Sequence, residues 1–282
     1  MVGSLAVRSQ IETLPFVLDA DAQAEDGLDH VEQHQRADAR PDDGDDHGLD
    51  LGEHLGAHGA GFDDEAGAAD SEYTELIFAD DFTADGFGEQ WKHYKSGSVV
   101  KDGVLMGITP EGSDHPAVDS IRFEGRRDME VSVKFNFVGT QGERFNIWFD
   151  DYNYKDSHAG HICSVSVSPT GGSIADAKTG AFENAIYEKK KSPEGLDADT
   201  LKMLETKTSR YPLELDRDEW HTLLVQTKAN HVVVFIDGKE VGELESEGVG
   251  HLTKSLVSLT TNLVDVHYDD FSVRAAKVAA EE

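Results

Sequence analysis

Two histidines, His158 and His161, stand three residues apart with Ala159 and Gly160 between them. That spacing does not by itself place both rings on one side of a strand or loop. The intervening Ala-Gly is small and flexible enough to let them converge. His115, in Asp114-His115-Pro116, and His251, in Gly250-His251, are further imidazoles beside turn residues. Imidazoles titrate close to neutral pH, so such a set can supply a general acid and base. Neutral ring nitrogens can equally bind Zn²⁺ or a similar ion. A third reading is a set of loop hydrogen bonds with no shared pocket. Asp150, Asp151 and Asp156 surround the motif and can orient imidazoles, or simply add acidic surface.

Other side chains suit sugars. Trp91, Trp148 and Trp220 offer flat faces to pyranose C–H surfaces. Trp148 is out of phase with Phe145, Ile147 and Phe149, so it projects from the opposite side of its strand and is the best placed to stack. Trp220 begins a core strand and is expected to be buried. Retaining glucanases need two carboxylates about 5 Å apart on one sugar ring. Asp128-Met129-Glu130 is followed by Ser132, so the third carboxylate of such a run is missing. Glu214, Asp216 and Asp218, and Glu243, Glu245 and Glu247, alternate as solvated edges do. The two-carboxylate route is not supported.

The elements that must position these groups are strands. Met129, Val131, Val133, Phe135 and Phe137 alternate with Glu130, Ser132, Lys134 and Asn136, which puts one face on a core and the other in water. Phe145–Phe149, Cys163–Val167, Leu223–Thr227, Val232–Ile236, Val257–Leu259 and Val266–Val273 repeat the theme. Asp237-Gly238 and Asp102-Gly103 are tight-hairpin signals. Roughly a dozen strands with regular turns predict an all-β sandwich. Residues 181–208 interrupt them with a helical excursion: Leu201, Met203 and Leu204 suit a short amphipathic helix capped by Asp197 or Asp199.

Charge is unevenly spread. Residues 1–70 carry 18 acidic residues, three Arg and no Lys, about half of the formal net charge of −31. Their two aromatics cannot bury enough apolar surface to offset ordering entropy, so the segment reads as disordered or as sequence appended by a mis-assigned start. The folded domain is expected over 71–282. The negative charge argues against nucleic acid and anionic membranes, and no apolar run approaches the roughly twenty residues of a spanning helix. The N-terminus makes a poor export signal because Arg8, Gln10 and Glu12 interrupt its apolar stretch. Cys163 is the only cysteine, which excludes an intrachain disulfide and suggests a small core residue. The oligomeric state is left open.

The opening, Leu76-Ile77-Phe78-Ala79-Asp80-Asp81-Phe82, Trp91 and Val100-Lys101-Asp102-Gly103-Val104-Leu105-Met106-Gly107, resembles that of concanavalin A-like jelly rolls. So does the close, Trp220, Val234-Phe235-Ile236-Asp237-Gly238-Lys239 and Tyr268-Asp269-Asp270-Phe271-Ser272-Val273. Within that superfamily the chain looks most like the 3-keto-disaccharide hydrolase (DUF1080) group over residues 74–275. Shared with a subgroup are His158-Ala159-Gly160-His161, Lys178-Thr179-Gly180, and Gly250-His251 before Thr253-Lys254. The resemblance implies a jelly roll with a short helical insertion and an exported or extracellular protein whose partner is carbohydrate. It implies hydrolase or lyase-like chemistry on 3-keto-glycosides, with a non-catalytic lectin-like module as the alternative. The ketone acidifies its neighbouring C–H, so a base can expel the glycosidic oxygen and water then adds back. His158, His161, His115 and His251 would carry acid/base or metal work, with Lys155, Lys178 or Lys254 stabilising an enolate. Trp148, Lys155 and Lys178 would contact the sugar. The sequence establishes no cofactor. Ca²⁺ between first and last strands, at Asp81 and Asp269, or Zn²⁺ at the histidines, is the metal the residues allow.

Overall fold

A computed structural model describes residues 72–277, apart from 85, 140–143 and 263. The readings of residues 1–70 as disordered or mis-assigned lie outside the described residues. Strands are numbered in chain order. One sheet runs, in space, β13 (Lys239–Glu245), β12 (His231–Ile236), β11 (His221–Lys228), β6 (Met129–Phe137), β15 (Val264–Ala275), β4 (Val104–Ile108) and β3 (Val99–Lys101), with β1 (Glu75–Asp80) also on β15. The other runs β10 (Thr208–Pro212), β9 (Gly171–Asp176), β8 (His161–Ser168), β7 (Arg144–Asp150), β14 (Lys254–Asn262), β5 (Ala117–Arg126) and β2 (Trp91–Tyr94). The described residues thus form a two-sheet antiparallel sandwich with two short helices.

Period-two patterning decides which face of each sheet meets the other. Met129, Val131, Val133, Phe135 and Phe137 of β6 are buried, and so are Phe145, Ile147 and Phe149 of β7. The rings of Phe135 and Phe145 meet at 5.0 Å between centroids. Cys163, Val165 and Val167 of β8 and Val257 and Leu259 of β14 complete that layer. Each such side chain contributes roughly 1.5–3 kcal/mol by leaving water. Cys163 is fully enclosed, and burial pushes its thiol up to about 12, so it is an inert core residue. Trp91 is buried as well, donating its indole N–H to Asp80 at 2.8 Å. Trp220 departs from expectation. It lies just before β11 and is 43 % exposed, because the core alternation starts only at Leu223.

The β12–β13 turn has the geometry its sequence requires. Asp237 and Gly238 have φ of 50° and 73°. A two-residue hairpin turn of this hand needs positive φ at both positions, which Gly adopts freely and Asp tolerates. The helical excursion contains two helices, where sequence suggested one. α1 (Asn184–Lys191) is Lys-rich, and its three C-terminal lysines complement the helix dipole. Glu183 accepts from the N–H of Ile186 at its start, and Tyr187 is its buried anchor. α2 (Ala198–Glu205) is capped by Asp197, which accepts from the N–H of Thr200 at 2.8 Å. Pro193 lies between the helices and prevents their fusion. No helix among the described residues is long and apolar enough to cross a membrane.

Candidate functional site

The second sheet turns an unusual face outward. Cross-strand register lays out a row: Lys92, Ser120, Ser258, Trp148, Ser164, Ala175 and Thr208, one from each strand from β2 to β10. A second row, one step along, reads Tyr94, Val118, Thr260, Asn146, Ser166, Ser173 and Arg210. A third reads Arg122, Leu256, Asp150 and His161. Trp148 rises from a floor of small hydroxyls. Ser120, Ser164, Ser258 and Thr260 are buried although they point away from the core. Larger neighbours stand above them, so this face is a recess.

The polar groups of the recess have unused bonding capacity. Among the described residues, the Asn146 amide, the Trp148 indole N–H and the hydroxyls of Ser164, Ser166, Ser258 and Thr260 make no side-chain hydrogen bonds. None of these atoms is sealed from solvent. Buried polar groups normally find partners. A cluster with open valences in a recess can hold a polyhydroxylated ligand.

At one edge of the recess stands His161. A β-bulge between Phe149 and Asp150 offsets β8, and the chain enters it through a tight turn at His158–Gly160. Ala159 and Gly160 have φ of 54° and 77°. A Cβ on Gly160 would lie 2.3 Å from the carbonyl oxygen of Asp151, so only glycine fits. His161 Nδ1 lies 2.7 Å from Asp150 Oδ1, and its ring lies 4.2 Å from that of Trp148 between centroids, tilted by 35°. With Asp150 ionised its carboxylate accepts, which puts a proton on Nδ1 and makes Nε2 the nitrogen that carries the lone pair in the neutral ring. Nε2 makes no hydrogen bond among the described residues. Burial pushes the Asp150 carboxyl above its usual range, and the neighbouring His161 pulls it back.

His115 has a similar set. Its Nδ1 donates to the carbonyl of Pro116 at 2.7 Å, leaving Nε2 as the basic nitrogen. Its ring meets Tyr94 edge-on at 5.3 Å. Burial, above all, holds its pKa below the ordinary 6.5. His158 lies 6.3 Å from His161 between ring centroids. It stacks face to face on Tyr187 of α1 at 3.8 Å, which places it in the wall under the helix.

His251 belongs to a different cluster. Asp151 follows Asp150, and successive side chains leave an extended chain on opposite sides. Asp151 Oδ2 accepts from His251 Nε2 at 2.9 Å and from the Thr253 hydroxyl at 2.6 Å. Its other oxygen accepts from the Asn153 N–H and the Ser255 hydroxyl at 2.9 and 3.2 Å. Burial would raise the Asp151 pKa, but these bonds outweigh it and hold the carboxyl below its usual range. His251 Nδ1 accepts from Lys178 Nζ at 3.1 Å. Both ring nitrogens are therefore occupied. Burial first, and the Lys178 charge with it, hold the His251 pKa below its ordinary value against the opposing pull of the Asp151 hydrogen bond.

The remaining candidates separate from both clusters. Lys254 was expected to face a substrate. Its side chain is instead fully buried and donates to the carbonyls of Arg127 and His251 at 2.6 and 3.3 Å. Those carbonyls are what make burying an ammonium tolerable, and burial lowers its pKa. Lys155 is exposed, donating to the Tyr152 carbonyl at 3.3 Å and lying 5.6 Å from the Tyr152 ring. Asp81 is bound to Thr83, and its charge helps burial raise the pKa of Asp269. Among the described residues no three His, Cys, Asp or Glu side chains gather to hold a metal ion. The Asp81–Asp269 pair lacks a third such ligand, and the histidines do not form a Zn²⁺ set. Glu130 faces outward on the first sheet, accepting from Gln226 at 2.7 Å, far from the recess rows. The signal for Trp148, Asn146 and Asp150 was their common phase on β7. The serine floor had none, because its members adjoin only through register.

No family model matches the chain, and no curated protein matches it in sequence. A laminarinase from Rhodothermus marinus superposes with a TM-score of 0.50 at 11 % identity, over 72 % of this chain and 98 % of that one. A sialidase gives 0.51 at 11 % identity over 72 % of this chain, which spans only 19 % of the sialidase's length. A Bacillus subtilis protein of unknown function with a galectin-like fold gives 0.49 at 13 % identity, over 73 % and 98 % of the two chains. The fold is a concanavalin A-like jelly roll, and the resemblance found in the sequence holds at that level.

Proposed function

We propose that this chain is a carbohydrate-active enzyme that cleaves modified glycosides, 3-keto-glycosides foremost, in the recess around Trp148. The observation that carries the reading is the Asp150–His161 pair, with a basic Nε2 beside an indole and a floor of hydrogen-bonding groups with open valences. His161 takes the proton from the carbon next to the ketone. Asp150 stabilises the imidazolium so formed. Negative charge builds on the ketone oxygen, toward which the Trp148 N–H or Asn146 amide can donate. The glycosidic C–O bond then breaks, and the leaving oxygen collects the proton from His161. Water adds across the resulting C=C bond, so the net reaction is hydrolysis. His115 is the second base candidate. That a laminarinase and a sialidase share the fold agrees with a glycan ligand.

The test is turnover of 3-keto-glucosides by His161→Ala and His115→Ala. His161→Ala should lower kcat/KM by about 10²–10⁴, the usual contribution of a positioned acid/base, in a protein whose circular dichroism shows that it remains folded. Full activity in both variants overturns the mechanism. A lectin-like module is the second reading, favoured by the same open valences, which need no chemistry to bind sugar. Tight, Trp148-dependent oligosaccharide binding without turnover of any glycoside would establish it.

A further inference from the structure

The chain has 56 acidic and 25 basic residues, yet the recess reverses that balance. Across its three rows Lys92, Arg122 and Arg210 are basic. Asp150 is the one carboxylate in those rows, and it is committed to His161. Glu124, two residues farther along β5, is exposed and pairs with Arg126 at 3.5 Å. Four cations outside the recess have carboxylate partners: Lys95 with Asp114, Arg126 with Glu75, Lys134 with Asp270, Lys228 with Glu72. Arg122 and Lys92 make no ion pair among the described residues. Lys92 donates only to the Glu89 carbonyl, at 3.3 Å. The Arg122 guanidinium lies over the Tyr152 ring at 4.0 Å from its centroid.

That stack matters for recognition. An aromatic face orients the planar guanidinium without consuming its N–H donors, which remain in a fork that fits a carboxylate or sulfate. Arg122 is separated from Asp150 by one strand, through Leu256. Two strand spacings make about 10 Å, roughly the length of a disaccharide. In a protein this acidic, an exposed Arg without a carboxylate partner at a sugar-sized distance from Asp150, the carboxylate that holds the proposed base, is an address for an anion.

We propose that the recess takes an acidic glycan, with a carboxylate of a uronic acid unit bound by Arg122 and Lys92 adding attraction along the same face. This rests on the glycan reading above and names the class of glycan. A sulfate ester offers the same oxyanion chemistry. The two are distinguished by calorimetric titration of the full chain at low salt with an oligogalacturonate, a carrageenan oligosaccharide and a neutral laminari-oligosaccharide. The acidic ligands should bind at least about tenfold tighter than the neutral one, with an advantage that shrinks as salt screens it. Preference for the galacturonate assigns a carboxylate, and preference for the carrageenan a sulfate. Arg122→Gln should remove the advantage of the acidic ligands over the neutral one. Arg122→Lys should keep part of it, and Lys92→Gln should reduce it independently. Equal affinity for neutral and acidic ligands, or an advantage untouched by Arg122→Gln, overturns the proposal. Neutral binding that is lost in Trp148→Ala would then leave the glycan reading standing alone. Failure of all three ligands to bind overturns both.

Discussion

Asp150 and Asp151 are adjacent, and each holds a histidine at hydrogen-bond distance, yet the two pairs do opposite things. Asp150 grips one nitrogen of His161 and leaves the other open beside Trp148. Asp151 grips His251, whose second nitrogen is taken by Lys178, and also collects Thr253, Ser255 and the Asn153 N–H. The first pair has a valence left for a substrate. The second has none and ties the β7 end to the loop before β14. A carboxylate beside an imidazole is therefore no sign of catalysis by itself. The number of occupied nitrogens distinguishes a site from a brace.

The largest stability effect should come from the brace. Asp151→Ala leaves an imidazole N–H, two hydroxyls and one backbone N–H without their acceptor, and should cost about 3 kcal/mol in chemical denaturation. A double-mutant cycle with His251→Ala should give a coupling of about 1 kcal/mol or more, since the two side chains share one bond. Asp150→Asn should behave the other way, with a modest change in stability and a large loss of turnover. Equal stability losses in Asp151→Ala and Asp150→Asn would erase the distinction between the pairs.

Gly160 sits between them, and its substitution tests whether they are mechanically linked. Its carbonyl accepts from the Asp151 N–H at 2.9 Å, and its φ is 77°. A methyl group there meets both a disfavoured backbone conformation and the Asp151 carbonyl. Gly160→Ala should cost about 2 kcal/mol or more and shift His161, lowering kcat more than KM. Melting by calorimetry and steady-state kinetics read the two effects separately.

Titration sharpens the comparison further. His251 and His115 both have pKa values held below 6.5 in the folded protein. Between the lowered folded value and about 6.5, the unfolded chain binds protons that the folded one does not. Stability therefore rises with pH through that window, is complete above it, and is lost on acidification. Each group contributes a slope of at most about 1.4 kcal/mol per pH unit. His251→Gln should flatten the stability profile below about pH 6.5. An unchanged slope would mean that His251 is not held neutral by its neighbours.

How much of this was legible in the sequence follows from where the information lies. The alternation from Met129 to Phe137 and the Asp237-Gly238 turn are local signals, and they specified strands, faces and a hairpin that the structure contains. Helix α1 was obscured because its polar, Lys-rich surface carries a single buried anchor, Tyr187. The phase of Trp148 is local too. The recess floor is not: Ser120, Ser258 and Ser164 are brought together by strand register across large sequence separations. The same holds for His251, which meets Asp151 a hundred positions away. Lys254 was expected to stabilise an enolate because nothing local reveals that two backbone carbonyls wait for it inside.

The smallest expected effect isolates the backbone. Gly238 has φ of 73°, close to that of Gly160, but a Cβ placed there meets nothing within 4 Å. Gly238→Ala therefore carries only the conformational cost of a left-handed residue, about 1 kcal/mol. The turn joins β12 to β13 at the edge of the first sheet, on the layer opposite the recess. Turnover and sugar binding should be unchanged while the melting temperature falls by a few degrees. Because the two glycines share a dihedral and differ in surroundings, the extra loss in Gly160→Ala over Gly238→Ala measures the contact with Asp151. If the two variants lose the same stability and neither loses activity, the turn before β8 is not what aligns His161.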